Sequence, residues 1–217
     1  MSHSDGNIRA FLIGLALSAA FAGFAFARQA TSATSPMGSD EQKDLSLVTA
    51  GSYKLDPNHV AVIARVLHRT FSFSVFRFGV VEGILNWNPA AISGSELTAT
   101  VQTDSIQTNV KDFATQLIKF LKSAKYPQAT FVSTAFRQTD PTHEFVDGQF
   151  TLMGKSEPIT FAVSLVGAGP GFTPGGVMGH VIGIHAETSI NPHHFGLPDM
   201  FGDSIQLVID TEFDKVS

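Results

Sequence analysis

The residues in this sequence that could do chemistry start with its histidines. His193 and His194 are adjacent, and His180 and His185 lie just upstream. A metal needs ligands that converge, but neighbours in an extended chain point to opposite faces. His193 and His194 therefore diverge, and the odd spacing separates His180 from His185 in the same way. Hydrogen-bonded rim histidines fit this spacing better than a metal centre, and no metal is expected. His59 and His68 stand singly near strand ends and read alike. The run GQFTLMGKS, residues 148–156, has the letters of a phosphate loop, yet five residues separate its glycines where the motif requires four. It also joins two strands, so no helix N-terminus is at hand for a phosphate. A tight hairpin at Gly154 and Lys155 explains it. In GAGPG, residues 167–171, Pro170 spoils a dinucleotide loop. There is no G-x-S-x-G, and no carboxylate pair has catalytic spacing. Asp112 reads as a partner of a helix dipole. These residues give no positive sign of an enzyme or of a cofactor.

What could position such residues is mostly strand. Residues 53–68 alternate from Val60 onward, with Val60, Val62, Ala64 and Val66 on one face; residues 56–58 (DPN) signal a turn or bulge. Residues 70–79 place Phe71 and Phe73 on one face and Phe76 and Phe78 on the other, which suggests a bulge near Ser74 and Val75. Further strands fall at 80–88, 96–103, 129–137, 144–153, 158–166, 180–190 and 204–213, the last with Ile205, Leu207 and Ile209 inward. Eight or nine strands with turn signals between neighbours imply an antiparallel meander, open or closed. Eight such strands closing on themselves make a barrel wide enough for one slender ligand.

One stretch breaks the pattern. Val110, Phe113, Ala114, Leu117, Leu121 and Ala124 share one helix face, so residues near 109–124 form an amphipathic helix. Thr108 or Asn109 caps its start, and Lys119, Lys122 and Lys125 suit its C-terminal dipole. Pro127 ends it.

Composition narrows the function. The chain has 217 residues, 43% hydrophobic and 15% charged, with a formal net charge of −5. An acidic chain without a basic stripe argues against nucleic acid. The absence of cysteine excludes disulfides, thiol nucleophiles and thiolate metal sites. Of 19 Phe, four lie in an N-terminal apolar run, leaving fifteen for the folded part. That is either a Phe-rich core or an apolar cavity lined by Phe. Residues 9–27 end in Ala25-Phe26-Ala27, the form of a secretory signal peptide with cleavage after Ala27. A retained anchor is the alternative; either way the folded domain is exported. Residues 28–50 read as a flexible linker, and residues 51–217 as the folded domain.

Several segments, in order, resemble the YceI-like family of polyisoprenoid-binding, lipocalin-like periplasmic proteins. YKLDPNH (53–59) resembles its opening apolar-D-x-x-H strand. HRTFS (68–72), EGIL (82–85), DSIQT (104–108) and YPQATFVST (126–134) resemble the motifs that follow. The 148–158 hairpin and Phe195-Gly196 complete the set, which covers residues 51–213. Where the family often carries an Arg-containing run before F-G, this chain has Pro192-His193-His194; Lys111 keeps a charge where relatives often have Arg.

The resemblance implies an all-β fold with one helix, an extended lipocalin-like antiparallel barrel of about eight strands. It also implies a long-tailed amphiphile inside, a polyisoprenoid or isoprenoid quinone, in the periplasm. On that reading the apolar lining includes Phe71, Phe73, Phe76, Phe78, Trp87, Phe113, Leu117, Phe120 and Phe131. His68, Arg77 and His194 are candidates for the head group. Transient membrane contact and a homodimer are possible partnerships. Two other readings stay open: an enzyme on a lipid or small apolar substrate, using His68, His193 and His194, and a stress-related protein-binding module with a filled barrel.

Overall fold

The computed structural model describes residues 43–174 and 176–216. The signal-peptide segment lies outside the described residues, as does most of the linker. The described chain forms β1 (Gly51–His68), β2 (Ser72–Phe78), β3 (Val81–Trp87), β4 (Glu96–Gln102), β5 (Ile106–Gln107), α1 (Phe113–Phe120), β6 (Gln128–Asp140) and β7 (His143–Leu152). Then follow β8 (Lys155–Thr173), β9 (Val177–Ile190), α2 (Pro192–Phe195) and β10 (Ile205–Lys215).

Eight strands close in the order β1-β3-β4-β6-β7-β8-β9-β10, and β10 pairs back onto β1. All pairings are antiparallel. The two extra strands sit at one end: β2 pairs with the second half of β1, and β5 pairs with β2. The alternation read from sequence is the alternation of the barrel wall. In β3, Val81, Gly83, Leu85 and Trp87 are buried while Glu82, Ile84 and Asn86 are exposed. At the other end β8 and β9 run on past the barrel as a two-stranded ribbon. Its outer edges, from Val166 and up to His180, pair with no other strand among the described residues.

Of three local expectations, one holds and two change. The bulge in β1 is real: the register passes from Leu55 opposite Phe213 to Val60 opposite Thr211. The bulge expected at Ser74 and Val75 is absent, because β2 pairs without a break from Phe78 opposite Val62 to Ser72 opposite His68. Phe73 simply lies on the outer face of β2, and Phe71 lies in the turn before it. Third, α1 is eight residues long, not sixteen or so. Asp112, with φ 60, is left-handed and makes no side-chain cap; the Thr108 hydroxyl instead accepts from the Val110 amide at 3.3 Å in a turn before the helix. Lys122, with φ 51, ends it. The Lys122 amide bonds Lys119 O at 3.0 Å and the Ser123 amide bonds Ile118 O at 3.1 Å, the paired bonds of a Schellman ending. Helix termination thus comes before Pro127 acts.

The linker reading also needs trimming. Leu45–Leu47 form a 3-10 turn started by the Asp44 carboxylate, and Leu45 and Val48 are 3% and 4% exposed. The hairpin expected at Gly154 is present: Met153 and Gly154 both have positive φ, as a two-residue type I′ loop requires.

Gly148, on β7, shows how tightly the wall is packed. A Cβ there would run into the Phe131 ring and come within 2.6 Å of the Val132 carbonyl oxygen. A backbone atom cannot yield as a side chain can, so Gly148→Ala should destabilise the barrel by about 1–3 kcal/mol. Gly94→Ala meets nothing within 4 Å and serves as control. Urea unfolding midpoints check both; a silent Gly148→Ala would refute the packing.

Candidate functional site

The barrel encloses an apolar cavity of about 170 Å³. Its wall is the inward face of the alternation: Val62, Ala64 and Val66 from β1, Leu97, Ala99 and Val101 from β4, and Ile205, Leu207 and Ile209 from β10. The space arises where small side chains sit among large ones. Ala64 pairs across the sheet with Phe76 and Leu207, Ala99 with Phe131, and Ala186 with Val163 and Ile209. Three threonines are the polar residues of the lining. The Thr103 hydroxyl donates to Tyr126 O and Pro127 O at 2.9 and 3.0 Å, and the Thr211 hydroxyl donates to Glu212 O at 3.3 Å. A wall of this kind offers a guest contact area and almost no hydrogen bonds.

Short pieces cover the barrel's two ends. At one end α1 contributes Leu117, 2% exposed, together with Leu121, and the segment after α2 contributes Leu197 and Phe201. Aromatic edge-to-face pairs hold these pieces: Phe120 on Phe201 at 5.7 Å, and Phe150 on Phe195 at 5.3 Å. At the other end Leu45 and Val48 are tied down by the Leu45 amide, which bonds Pro141 O at 2.7 Å. Beneath them is a second cavity of about 30 Å³, bordered by Trp87, Phe136 and Glu144.

The residues named from sequence divide. Phe76, Phe78, Leu117 and Phe131 line the large cavity. Phe113 and Phe120 pack behind that lining, Phe113 against Phe76 at 6.3 Å. Trp87 borders the small cavity instead. Phe73, 48% exposed, faces outward because odd positions of β2 point away from the barrel, and Phe71, 81% exposed, stands in the turn before that strand. Of the head-group candidates, Arg77 shares that outer face and bonds Val60 O at 3.0 Å, so it is off the cavity. His68 is exposed at the end of β1, two residues beyond Val66 of the lining. His194 lies on α2, 3.8 Å from Glu157. Sequence reasoning missed Phe150, Phe161, Phe201 and Phe213. The signal for Phe161 was its spacing with Val163 and Leu165, one face of β8.

Several other histidines pair with carboxylates outside the barrel. His185 bonds Asp210 at 2.7 Å, and His193 bonds Asp203 at 3.2 Å. Asp56, His59 and Glu212 come together at the β1 bulge. Burial pushes the Asp56 carboxyl up, but hydrogen bonds from Asn58 and His59 outweigh it and hold the group below the usual range. Asp56 accepts from the Asn58 amide at 2.8 Å and pairs with His59 at 2.6 Å, which braces the bulge.

Glu144 has no such help. It is 6% exposed, and burial raises its pKa to about 7. An acid whose folded pKa is raised binds its proton in the folded state while the unfolded chain has lost it. Stability therefore falls as pH rises from the unfolded value near 4.5 through 7, by on the order of 3 kcal/mol. Glu144→Gln removes that loss. Thermal melts should show the variant gaining on the parent between pH 5 and pH 8; a difference that does not change with pH would contradict the buried, neutral carboxyl.

The comparisons agree with this geometry. The profile of the YceI-like domain matches residues 53–213. A UPF0312 protein of Pseudomonas putida strain W619 is 31% identical over 169 residues, spanning 75% of this chain and 86% of that protein. BcnA of Burkholderia cenocepacia superposes with a TM-score of 0.63 at 20% identity, covering 73% of this chain and 98% of its own. A polyisoprenoid-binding domain from Saccharophagus degradans, implicated in plant cell wall breakdown, superposes with a TM-score of 0.57 at 12% identity, covering 77% of this chain and all of its own. At these identities the solved structures speak for the fold, and the fold they share is this barrel. Profile and sequence relative together show that the chain belongs to the YceI-like family.

Proposed function

We propose that this barrel binds one long-tailed amphiphile, a polyisoprenoid or isoprenoid quinone, and carries or stores it in the periplasm without transforming it. The observation that carries this reading is the cavity wall, apolar but for three threonines, two of which give their hydroxyls to backbone carbonyls. The name of the Saccharophagus neighbour and the signal-like segment at residues 9–27 support it. Burial supplies the affinity. At about 0.8 kcal/mol per CH₂, each five-carbon unit contributes about 3–4 kcal/mol before ordering costs.

Size sets a condition. Apolar cavities of about 150 Å³ stay dry and admit a guest the size of benzene. The cavity of about 170 Å³ therefore takes roughly one isoprene unit as it stands. A longer tail enters by displacing a cover, and α1 is the piece to move: eight residues make a helix with little stability of its own. Loading takes place at a membrane. Leu67, Phe71 and Phe73 are exposed beside the β1 end of the cavity wall, with the Arg65 guanidinium 4.6 Å over the Phe73 ring. Apolar side chains with nearby cations suit an anionic lipid surface.

The test is native mass spectrometry of the protein isolated from its own host, followed by organic extraction. A bound mass matching a prenyl lipid or quinone is expected. Ala64→Leu with Ala186→Leu should fill the cavity and cut uptake of a prenyl quinone at least tenfold, at unchanged or higher Tm. An empty protein that takes up no quinone would end the carrier reading.

A further inference from the structure

Two residues that border the small cavity each carry a buried side-chain atom with no hydrogen-bond partner among the described residues. The atoms are Trp87 Nε1 and Glu144 Oε2. The cavity's other lining is Leu, Val, Ile and Phe. One buried orphan could be tolerated as a local cost. Two on residues that border one cavity, one of them a fixed donor, mark that cavity as a place for a polar atom. At about 30 Å³ the cavity exceeds the roughly 10–15 Å³ that one water needs, and it is far too small for a ring or a phosphate.

The small cavity adjoins the large one. Leu97, Val146, Val163, Ile184 and Phe213 belong to both linings and form the wall they share. A chain lying along the barrel that displaces these side chains brings its end to Trp87 and Glu144. The indole N–H can only donate, so the end group must carry an acceptor. The carboxyl beside it favours a group that can also donate. A hydroxyl meets both demands with one oxygen. An anionic end does not, because it would be buried away from water with no cation in the lining to pair it.

We propose that Trp87 Nε1 and the Glu144 carboxyl seat the terminal hydroxyl of an uncharged long-chain alcohol, an isoprenoid alcohol above all, bound with its polar end toward Leu45 and Val48. This rests on the lipid-binding reading of the barrel and adds the class of head group and its direction. Trp87 is the chain's single tryptophan, so it reports on the seat directly.

The experiment titrates the full chain with geranylgeraniol, with the matching hydrocarbon that lacks the hydroxyl, and with geranylgeranyl phosphate, by calorimetry and by Trp87 emission. The alcohol should bind roughly tenfold tighter than the hydrocarbon, the worth of one or two buried hydrogen bonds, and tighter than the phosphate. It alone should shift the Trp87 emission. Trp87→Phe and Glu144→Leu should abolish the alcohol's advantage while leaving hydrocarbon affinity within about twofold, and Glu144→Gln, which keeps a donor and an acceptor, should restore it. Unchanged hydrocarbon binding shows that the variants are folded. Equal affinity for alcohol and hydrocarbon in the parent chain would overturn the seat while leaving the lipid-binding barrel standing. Binding of neither would overturn both.

Discussion

The pairing of β10 with β1 is the contact on which the structure depends. Once it forms, the sheet has an inside, and every inward side chain loses access to water. Backbone groups of the wall are satisfied by the ladders, so the inner face need carry nothing polar. That explains why Val62, Ala64 and Val66 of β1 meet Ile205, Leu207 and Ile209 of β10 as one apolar surface. It also explains why an inward group that does carry a charge, Glu144, is driven toward its neutral form.

Closure alone gives a filled core or a cavity, depending on volume. Here Ala64, Ala99, Ala129 and Ala186 stand in the wall, and the facing large residues do not reach across. Protein interiors normally close such gaps to crystal density. Leaving one open costs contacts that a guest would restore, so the wall and its occupant are energetically one object. The end covers are built differently. They are short segments fixed by a few aromatic contacts and single hydrogen bonds, which is the construction of parts that open more readily than the wall.

Much of this was legible in the residues. The alternation in β4 and β10 gave both the strand and its inward face, because one face is apolar and the other polar. Where both faces are apolar, the same alternation is silent about direction. Phe71 and Phe73 look as suitable for a cavity as Phe76 and Phe78, and only pairing with β1 decides between them. The helix was legible as a face but not as a length. Asp112 and Lys122 adopt left-handed conformations that glycine would have announced, and neither residue type gives notice. Nor did the spacing reveal that Trp87 and Glu144 border one cavity, since they come from β3 and β7, which are not adjacent in the barrel. The covering role of Leu45 and Val48 was hidden by a polar stretch that otherwise reads as linker.

The ribbon made by β8 and β9 beyond the barrel has one further consequence. Among the described residues its two edges pair with no other strand, and its tip exposes Phe172, Val177 and Met178. Such a ribbon invites strand addition from another chain. Pro170, on one of those edges, has no N–H to give, and Gly167, Gly169, Gly171 and Gly179 deprive an incoming strand of side chains to pack against. The same composition that ruled out a nucleotide loop in this stretch protects the protein against edge-to-edge aggregation.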